Sequence, residues 1–185
     1  MNYWLISDTH FNHAKLEDWG GRSGDWQQRL WDGIAAIPDG DTLIHLGDIC
    51  IGNDEEIHKQ LIHAVNRFNE GGPDGTVRTI LVRGNHDGKS LSWYNERWDF
   101  VCDSFELLYN GHYLYFSHRP QPPMGHFTKN IHGHTHGNMH RSEEYISYYD
   151  PTYHFDMSPE LMGYAPIRLD TLLKKYKTSL LPTQK

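Results

Sequence analysis

Five short segments of this chain carry residues able to hold metal ions and to work on a phosphoryl group. They are Asp8-Thr9-His10, Gly47-Asp48, Gly84-Asn85-His86-Asp87, His118-Arg119 and Gly133-His134-Thr135-His136. Together Asp8, His10, Asp48, Asn85, His86, His118, His134 and His136 form a mixed carboxylate, amide and imidazole set. Such a set suits borderline divalent ions better than a thiolate-only or all-oxygen site would. It is too large for one tetrahedral ion. Two ions about 3.5–4 Å apart, sharing a carboxylate, would use it, hold a hydroxide and clamp a phosphoryl group for in-line attack. In residues 130–137 the histidines alternate with small residues, so on an extended backbone His134 and His136 face one way. Gly133 and Gly137 permit backbone angles and close approaches that other residues resist. Taken singly, each segment has a plain structural explanation. Asp8 could be a turn or cap residue, His45 a structural residue within a strand, and His13 either a partner behind the ligands or a surface residue.

To act together these segments must meet at one edge, and buried strands can bring them there. Tyr3-Trp4-Leu5-Ile6-Ser7 is a short run of strand formers, and Asp8 follows it directly. Thr42 to Leu46 is a second run and ends in Gly47-Asp48; Val77 to Val82 is a third and delivers Gly84-Asn85-His86. His112 to Ser117 follows the hairpin signal Asn110-Gly111 and ends in His118. Phe100 to Tyr109 reads as one or two strands, and Tyr153 to Met157 as a late one. Open α/β sheets place their ligands past the C-terminal ends of such strands. Between the strands, Leu30, Trp31, Ile34 and Ile37 share one helix face behind an Asp25 cap, after a loop at Gly20 to Gly24. A second helix presents Ile57, Leu61, Ile62, Val65 and Phe68 behind Asn53 or Asp54. Leu91 to Glu96 is a short helical stretch, and Leu169 to Tyr176 a C-terminal helix. Pro38 to Asp41 and Gly71 to Gly75 break the pattern. The stretch to Phe127 is Pro-rich and irregular, residues 138–151 form a polar, tyrosine-rich surface excursion, and Pro182 to Lys185 form a loose tail.

With 37% hydrophobic and 22% charged residues over 185 positions, the chain reads as one folded domain spanning residues 1–185. A net charge of -7 argues against broad binding to nucleic acid or to anionic membranes. Cys50 and Cys102 form no Cys-x-x-Cys pair and no disulfide framework, which fits a reducing cytosol. No apolar run is long enough to span a bilayer, and Met1-Asn2-Tyr3-Trp4 does not start like a signal peptide. The expectation is a cytoplasmic protein with no membrane partner.

In order, Asp8-x-His10, Gly47-Asp48, Gly84-Asn85-His86-Asp87, His118 and Gly133-His134-x-His136 resemble the motifs of the calcineurin-like metallophosphoesterases. The resemblance spans roughly residues 3 to 137, and Tyr164-Ala165-Pro166-Ile167 resembles the closing strand of small bacterial and phage members. It implies an α/β fold: a β-sandwich of mixed sheets flanked by helices, four layers in αββα order. It also implies that Asp8, His10 and His136 hold a first ion, that Asn85, His118 and His134 hold a second, and that Asp48 bridges them. Manganese stands foremost, with iron, zinc, nickel and cobalt as alternatives. His86 would stay off the metal, stabilise the transition state and protonate the leaving oxygen. Arg83 and Arg119 would grip phosphate in bidentate fashion, with surface salt bridging as their plain alternative. The implied reaction is hydrolysis of a small phosphodiester or phosphomonoester by a metal-bridging hydroxide.

Two departures bear on substrate. Family protein phosphatases carry an aspartate shortly after the bridging one to orient the catalytic histidine. Here Ile49-Cys50-Ile51-Gly52 offers no carboxylate, which leaves Asp54 or Asp87 as substitutes. Arg119 stands where small relatives often carry an aromatic residue. Two other functions compete. A nuclease would need Lys15, Arg22, Arg119, Lys129 and Arg141 to cluster, and the acidic balance does not favour it. A non-catalytic scaffold on the same fold is the other, and the retained His86 counts against it.

Overall fold

The computed structural model describes residues 1–19, 21–22, 24–66, 77–138 and 143–179. Gly20, Phe68, Gly71 to Gly75, Arg141 and Pro182 to Lys185, all named above, lie outside the described residues. The first sheet has the order β4-β3-β2-β1-β9 and the second β5-β6-β7-β8. β1 (Tyr3–Ile6), β2 (Thr42–His45), β3 (Arg78–Val82) and β4 (Phe100–Cys102) run parallel, and β9 (Ile167–Arg168) closes the edge antiparallel to β1. In the second sheet β5 (Ser104–Tyr109) pairs antiparallel with β6 (His112–Ser117), while β7 (Lys129–His132) and β8 (His154–Asp156) continue it in parallel. Both sheets are therefore mixed, and helices flank them.

Parallel strands covered on both faces favour near-continuous apolar runs, and alternate residues serve opposite faces. Leu5, Ile44 and Val82 face the second sheet, where they meet Leu114, Phe116, Ile131 and Phe155. The neighbouring Ile6, Leu43 and Leu81 face outward onto two helices. α2 (Trp26–Ala35) contributes Trp26, Leu30 and Ile34, and α3 (Asp54–Val65) contributes Ile57, Leu61 and Val65. Each such aliphatic side chain stabilises the fold by about 1.5–3 kcal/mol relative to exposure. α7 (Leu169–Ser179) closes the space between the sheets with Leu169, Leu172 and Leu173. The remaining helices are one turn or slightly more: α1 (Lys15–Trp19), α4 (Leu91–Asn95), α5 (Glu143–Ile146) and α6 (Pro159–Met162). No described helix is long and apolar enough to cross a membrane.

Several local expectations change. Asp25 and Asn53 occupy the N-cap positions of α2 and α3, yet neither side chain makes a capping bond. Asn53 is left-handed at φ 54, and Asp54, Glu55 and Glu56 favour the helix start through the dipole instead. Ser90 does cap α4, accepting from the Trp93 amide at 3.2 Å. Phe100 to Tyr109 is two strands, and they belong to different sheets: the chain leaves the first sheet at Cys102 and enters the second at Ser104. The tyrosine-rich excursion is only partly superficial. Tyr145 of α5 is buried and sets its ring edge-on to His134, centroids 5.8 Å apart, while the Tyr148 hydroxyl donates to the Pro120 carbonyl.

Candidate metal centre

The five chemical segments follow the C-terminal ends of β1, β2, β3, β6 and β7. Beyond the strands proper the backbones stay stitched. The Asp8 amide donates to Gly47 O at 2.9 Å and the His10 amide to Asp48 O at 3.0 Å, which ties the turns carrying Asp8 and Asp48 together. The amide of Gly133 donates to His118 O at 2.9 Å, and that of His134 to Asp8 Oδ2 at 2.8 Å across the two sheets. Close approach explains the glycines. A Cβ on Gly133 would stand 1.8 Å from Ser7 Oγ, and one on Gly84 would stand 2.2 Å from Asp48 Oδ1. Asp8, His10, Asp48, His134 and His136 are all left-handed, with φ of 49, 46, 56, 71 and 51°. Non-glycine residues rarely adopt this region, at a cost of about 1–3 kcal/mol each, and they concentrate where function over-determines the backbone. The extended backbone expected at 134–136 is thus not what forms. The two imidazoles turn to different neighbours.

Asp8, His10 and His136 bring one donor atom each within 4.8 Å of one another, and Asp48, His118 and His134 do the same. Asn85 joins the second group, its Oδ1 3.1 Å from His118 Nε2. Asp48 sits on the seam: its Oδ2 lies 3.4 Å from His118 Nε2 and 3.7 Å from His10 Nε2. Two observations fit this set to divalent ions. Asp8 Oδ1 is fully buried, has no hydrogen-bond partner among the described residues, and lies 3.6 Å from His136 Nε2 and 3.8 Å from His10 Nε2. A buried polar atom of that kind calls for a cation or another partner. Around His118, Nδ1 stands 2.7 Å from the Leu46 carbonyl, which makes Nδ1 the donor. Nε2 then faces Asn85 Oδ1, Asp48 Oδ2 and, at 3.2 Å, His134 Nδ1. These are all electron-pair donors, and an ion among them would satisfy every one.

The electrostatics agree. Burial pushes His10 down to about 3 against the pull of Asp48, and burial with the His118 charge pushes His134 down to about 4. Both rings are therefore neutral, as metal ligands must be. His118 goes the other way: burial opposes its charge, but its bond to Asp48 and the charges of Asp8 and Asp48 raise it to about 9. Asp48 is held below the usual carboxylate range, since His118, the His86 amide and His10 outweigh its burial. In the metal-free chain a proton on His118 does part of a cation's work.

Burial drives Asp8 up from 3.8 to about 6, against His118 and His136. A raised carboxyl pKa contributes stability below about pH 3.8, and that contribution is lost as pH rises through about 6. The cost at neutral pH is about 3 kcal/mol. Asp8→Asn is therefore expected to melt above the wild type in EDTA near neutral pH, with the difference closing towards pH 4. In excess Mn²⁺ the order should reverse, because the variant lacks the carboxylate of the first donor group. Equal melts in EDTA at both pH values would contradict the strain assigned to Asp8.

His86 belongs to neither donor group. Its side chain is half exposed, with Nε2 3.9 Å from Asp48 Oδ2 and its ring 5.4 Å from that of His10. His13, edge-on to His10 at 5.9 Å, lies behind the same ring. Arg83 and Arg119 both line a cavity of about 340 Å³ that begins at Asn85 and His118 and also includes Tyr115 and Gln121. At rest the Arg83 guanidinium is turned to Asp103, Nη2 to Oδ1 2.6 Å. Asp87 accepts from the amides of Gly84, Asp48 and Ile49 at 2.7–3.2 Å, binding two motif segments together, and Asp54 lies 3.8 Å from Lys89 Nζ. Both carboxylates considered for orienting His86 are engaged in this way. Of the basic residues that a nucleic-acid surface would need, Arg22 is buried and Lys129 bonds the Thr152 carbonyl.

Sequence reasoning missed three residues that shape the site. Asp156 ends β8 and accepts from the Thr135 hydroxyl and the Gly137 amide, clamping the segment that carries His134 and His136. Its signal was the same one used elsewhere, a carboxylate closing a buried strand. Arg22 and Glu160 approach the first donor group from behind, and Ser158-Pro159-Glu160 marks only a helix start. His45, read as structural, is so: its Nδ1 accepts from the Gly47 amide and its Nε2 bonds Thr9 Oγ1.

A two-sheet sandwich with a mixed carboxylate–imidazole set at its strand ends defines a metallophosphoesterase-type protein. The family model for calcineurin-like phosphoesterases matches residues 1–166, and the chain belongs to that family. Among relatives, an uncharacterized protein of Methanocaldococcus jannaschii is 27% identical over 185 aligned positions, covering 92% of this chain and 89% of that one. A solved structure of a protein of unknown function from Aquifex aeolicus superposes with a TM-score of 0.71 at 22% identity, covering 94% of this chain and 98% of the other. That likeness supports the fold. YfcE, a phosphoesterase from E. coli, superposes with a TM-score of 0.43 at 18% identity, covering 86% and 79% of the two chains.

Proposed function

We propose that this protein is a two-ion phosphoesterase acting on a small phosphodiester or phosphomonoester. The observation that carries the reading is the position of Asp48 Oδ2 between two donor groups. Asp8, His10 and His136 would hold one ion and Asn85, His118 and His134 the other, with Asp48 common to both; manganese is the first candidate. Bound there, the pair would activate water and withdraw charge from the phosphoryl oxygens.

The chain's own groups do the rest. His86, half exposed beside the seam, offers a ring N–H to the phosphoryl or leaving oxygen. Arg119 lines the cavity that opens from Asn85 and His118, within reach of a bound phosphate. Arg83 joins it by leaving Asp103, whose side chain is 77% exposed, so the pair it abandons is worth at most about 1 kcal/mol. Asp87 and Asp156 keep the motif segments in register.

The test is a panel of metals against esters: chromogenic monoester and diester, cyclic nucleotides, dinucleotides and oligonucleotides. Turnover of a small ester that requires Mn²⁺ and stops in EDTA is expected. Tight binding of ions without turnover of any ester would instead assign a non-catalytic role.

A further inference from the structure

The first donor group is held from behind by an ion pair that the family motifs do not contain. Glu160, in α6, lies with Oε1 3.0 Å from His136 Nδ1 and accepts Arg22 Nε on the same oxygen at 2.9 Å. Arg22 is buried, with its guanidinium over the Trp26 ring at 4.6 Å. Its other two nitrogens donate to the backbone carbonyls of Thr9 at 2.9 Å and Asp8 at 2.8 Å. One carboxylate thus touches both sides of the group: His136 directly, and the Asp8–His10 segment through Arg22.

We propose that Glu160, anchored by Arg22, is a positioning residue that sets the tautomer and orientation of His136 for metal binding. The proposal rests on the two-ion reading above. A carboxylate oxygen can only accept, so His136 Nδ1 must carry the proton and Nε2 keeps its lone pair. Nε2 is the nitrogen that faces the site, 3.6 Å from Asp8 Oδ1. The ring is also stacked on His10, centroids 5.2 Å apart and planes 19° from parallel, so its back and one face are both fixed. Partners of this kind orient a ligating imidazole and raise its basicity, and their loss typically costs about 10–100-fold in metal affinity.

Two substitutions separate reach from charge. Glu160→Gln keeps an acceptor at the Oε1 position. The second oxygen, Oε2, is buried with no hydrogen-bond partner among the described residues, so the amide nitrogen displaces no bond there. Glu160→Asp keeps the charge beside Arg22 but withdraws the acceptor from His136 by one methylene. Both changes leave the apolar core untouched. In the metal-free protein at alkaline pH, long-range ¹H–¹⁵N spectra should show His136 as the Nδ1–H tautomer in the wild type and Glu160→Gln. In Glu160→Asp the Nε2–H form should appear. Titration with Mn²⁺ should show one of the two ions weakened about 10–100-fold in Glu160→Asp, less than about 10-fold in Glu160→Gln, and the other ion unchanged in both. The proposal is overturned if Glu160→Asp keeps the wild-type tautomer and affinity, or if Glu160→Gln is the worse of the two. A wild-type chain that binds no Mn²⁺ would remove the two-ion reading and the ligand role of His136 with it. The metal-free spectrum still reports separately on whether Glu160 holds the ring.

Discussion

Replacing His86 with alanine is expected to lower kcat by about 10²–10⁴-fold while both divalent ions stay bound. The separation follows from placement. His86 contributes to neither donor group, and its side chain is half exposed where His10 and His118 are buried. Its backbone amide, which alanine retains, is what reaches Asp48 Oδ1, at 2.8 Å. The substitution thus removes the ring and keeps the bond that seats Asp48. If the ring protonates the leaving oxygen, esters with poor leaving groups should lose most, since they need the proton most. Metal content and kcat for two esters of different leaving-group pKa decide the matter. A variant that loses metal, or slows both esters equally, would show that His86 does something other than deliver a proton.

Asp48→Asn should cost metal as well as turnover, because one side chain faces both donor groups. Its Oδ2 faces His118 and His10, which belong to different groups, and its pKa, held below the usual carboxylate range, keeps it ionised throughout the working pH range. The amide has similar shape but no charge, and it would place an N–H among atoms that already compete to donate lone pairs. Both ions should bind weakly or not at all, and turnover should fall on the order of 10³-fold or more as several kcal/mol of charge stabilisation is withdrawn. Elemental analysis after gel filtration is the direct readout. Retention of one equivalent at native affinity would mean that Asp48 belongs to a single ion.

The site's location was legible because each apolar run ends abruptly in Asp, Asn or His, often next to glycine, and a buried strand can end that way only where its neighbours end too. Segment partners were not legible. Phe100 to Tyr109 shows one continuous strand-like composition, yet a single residue, Asp103, separates strands of two different sheets, because sheet membership depends on distant pairing. The left-handed backbone at His134 and His136 was missed for a related reason: the bonds these residues make run to Asp8 and Glu160, which lie well away in sequence. Asp25 looks like a cap and makes no capping bond. Arg22 and Glu160 are separated by 138 positions, so nothing near either one in sequence announces their contact.

The composition of the two donor groups has a consequence for how the molecule comes apart. Asp8 and His10 follow β1 of the first sheet and His136 follows β7 of the second; Asn85 follows β3 of the first sheet, while His118 and His134 follow strands of the second. Either ion would therefore rivet one sheet to the other at the edge of the sandwich opposite the strand starts. Any opening that parted the sheets there would then also release metal, and any condition that stripped the metal would loosen that seam. On the two-ion reading, metal affinity and inter-sheet adhesion would be one free energy seen from two directions, and a chelator would act on this fold as a wedge.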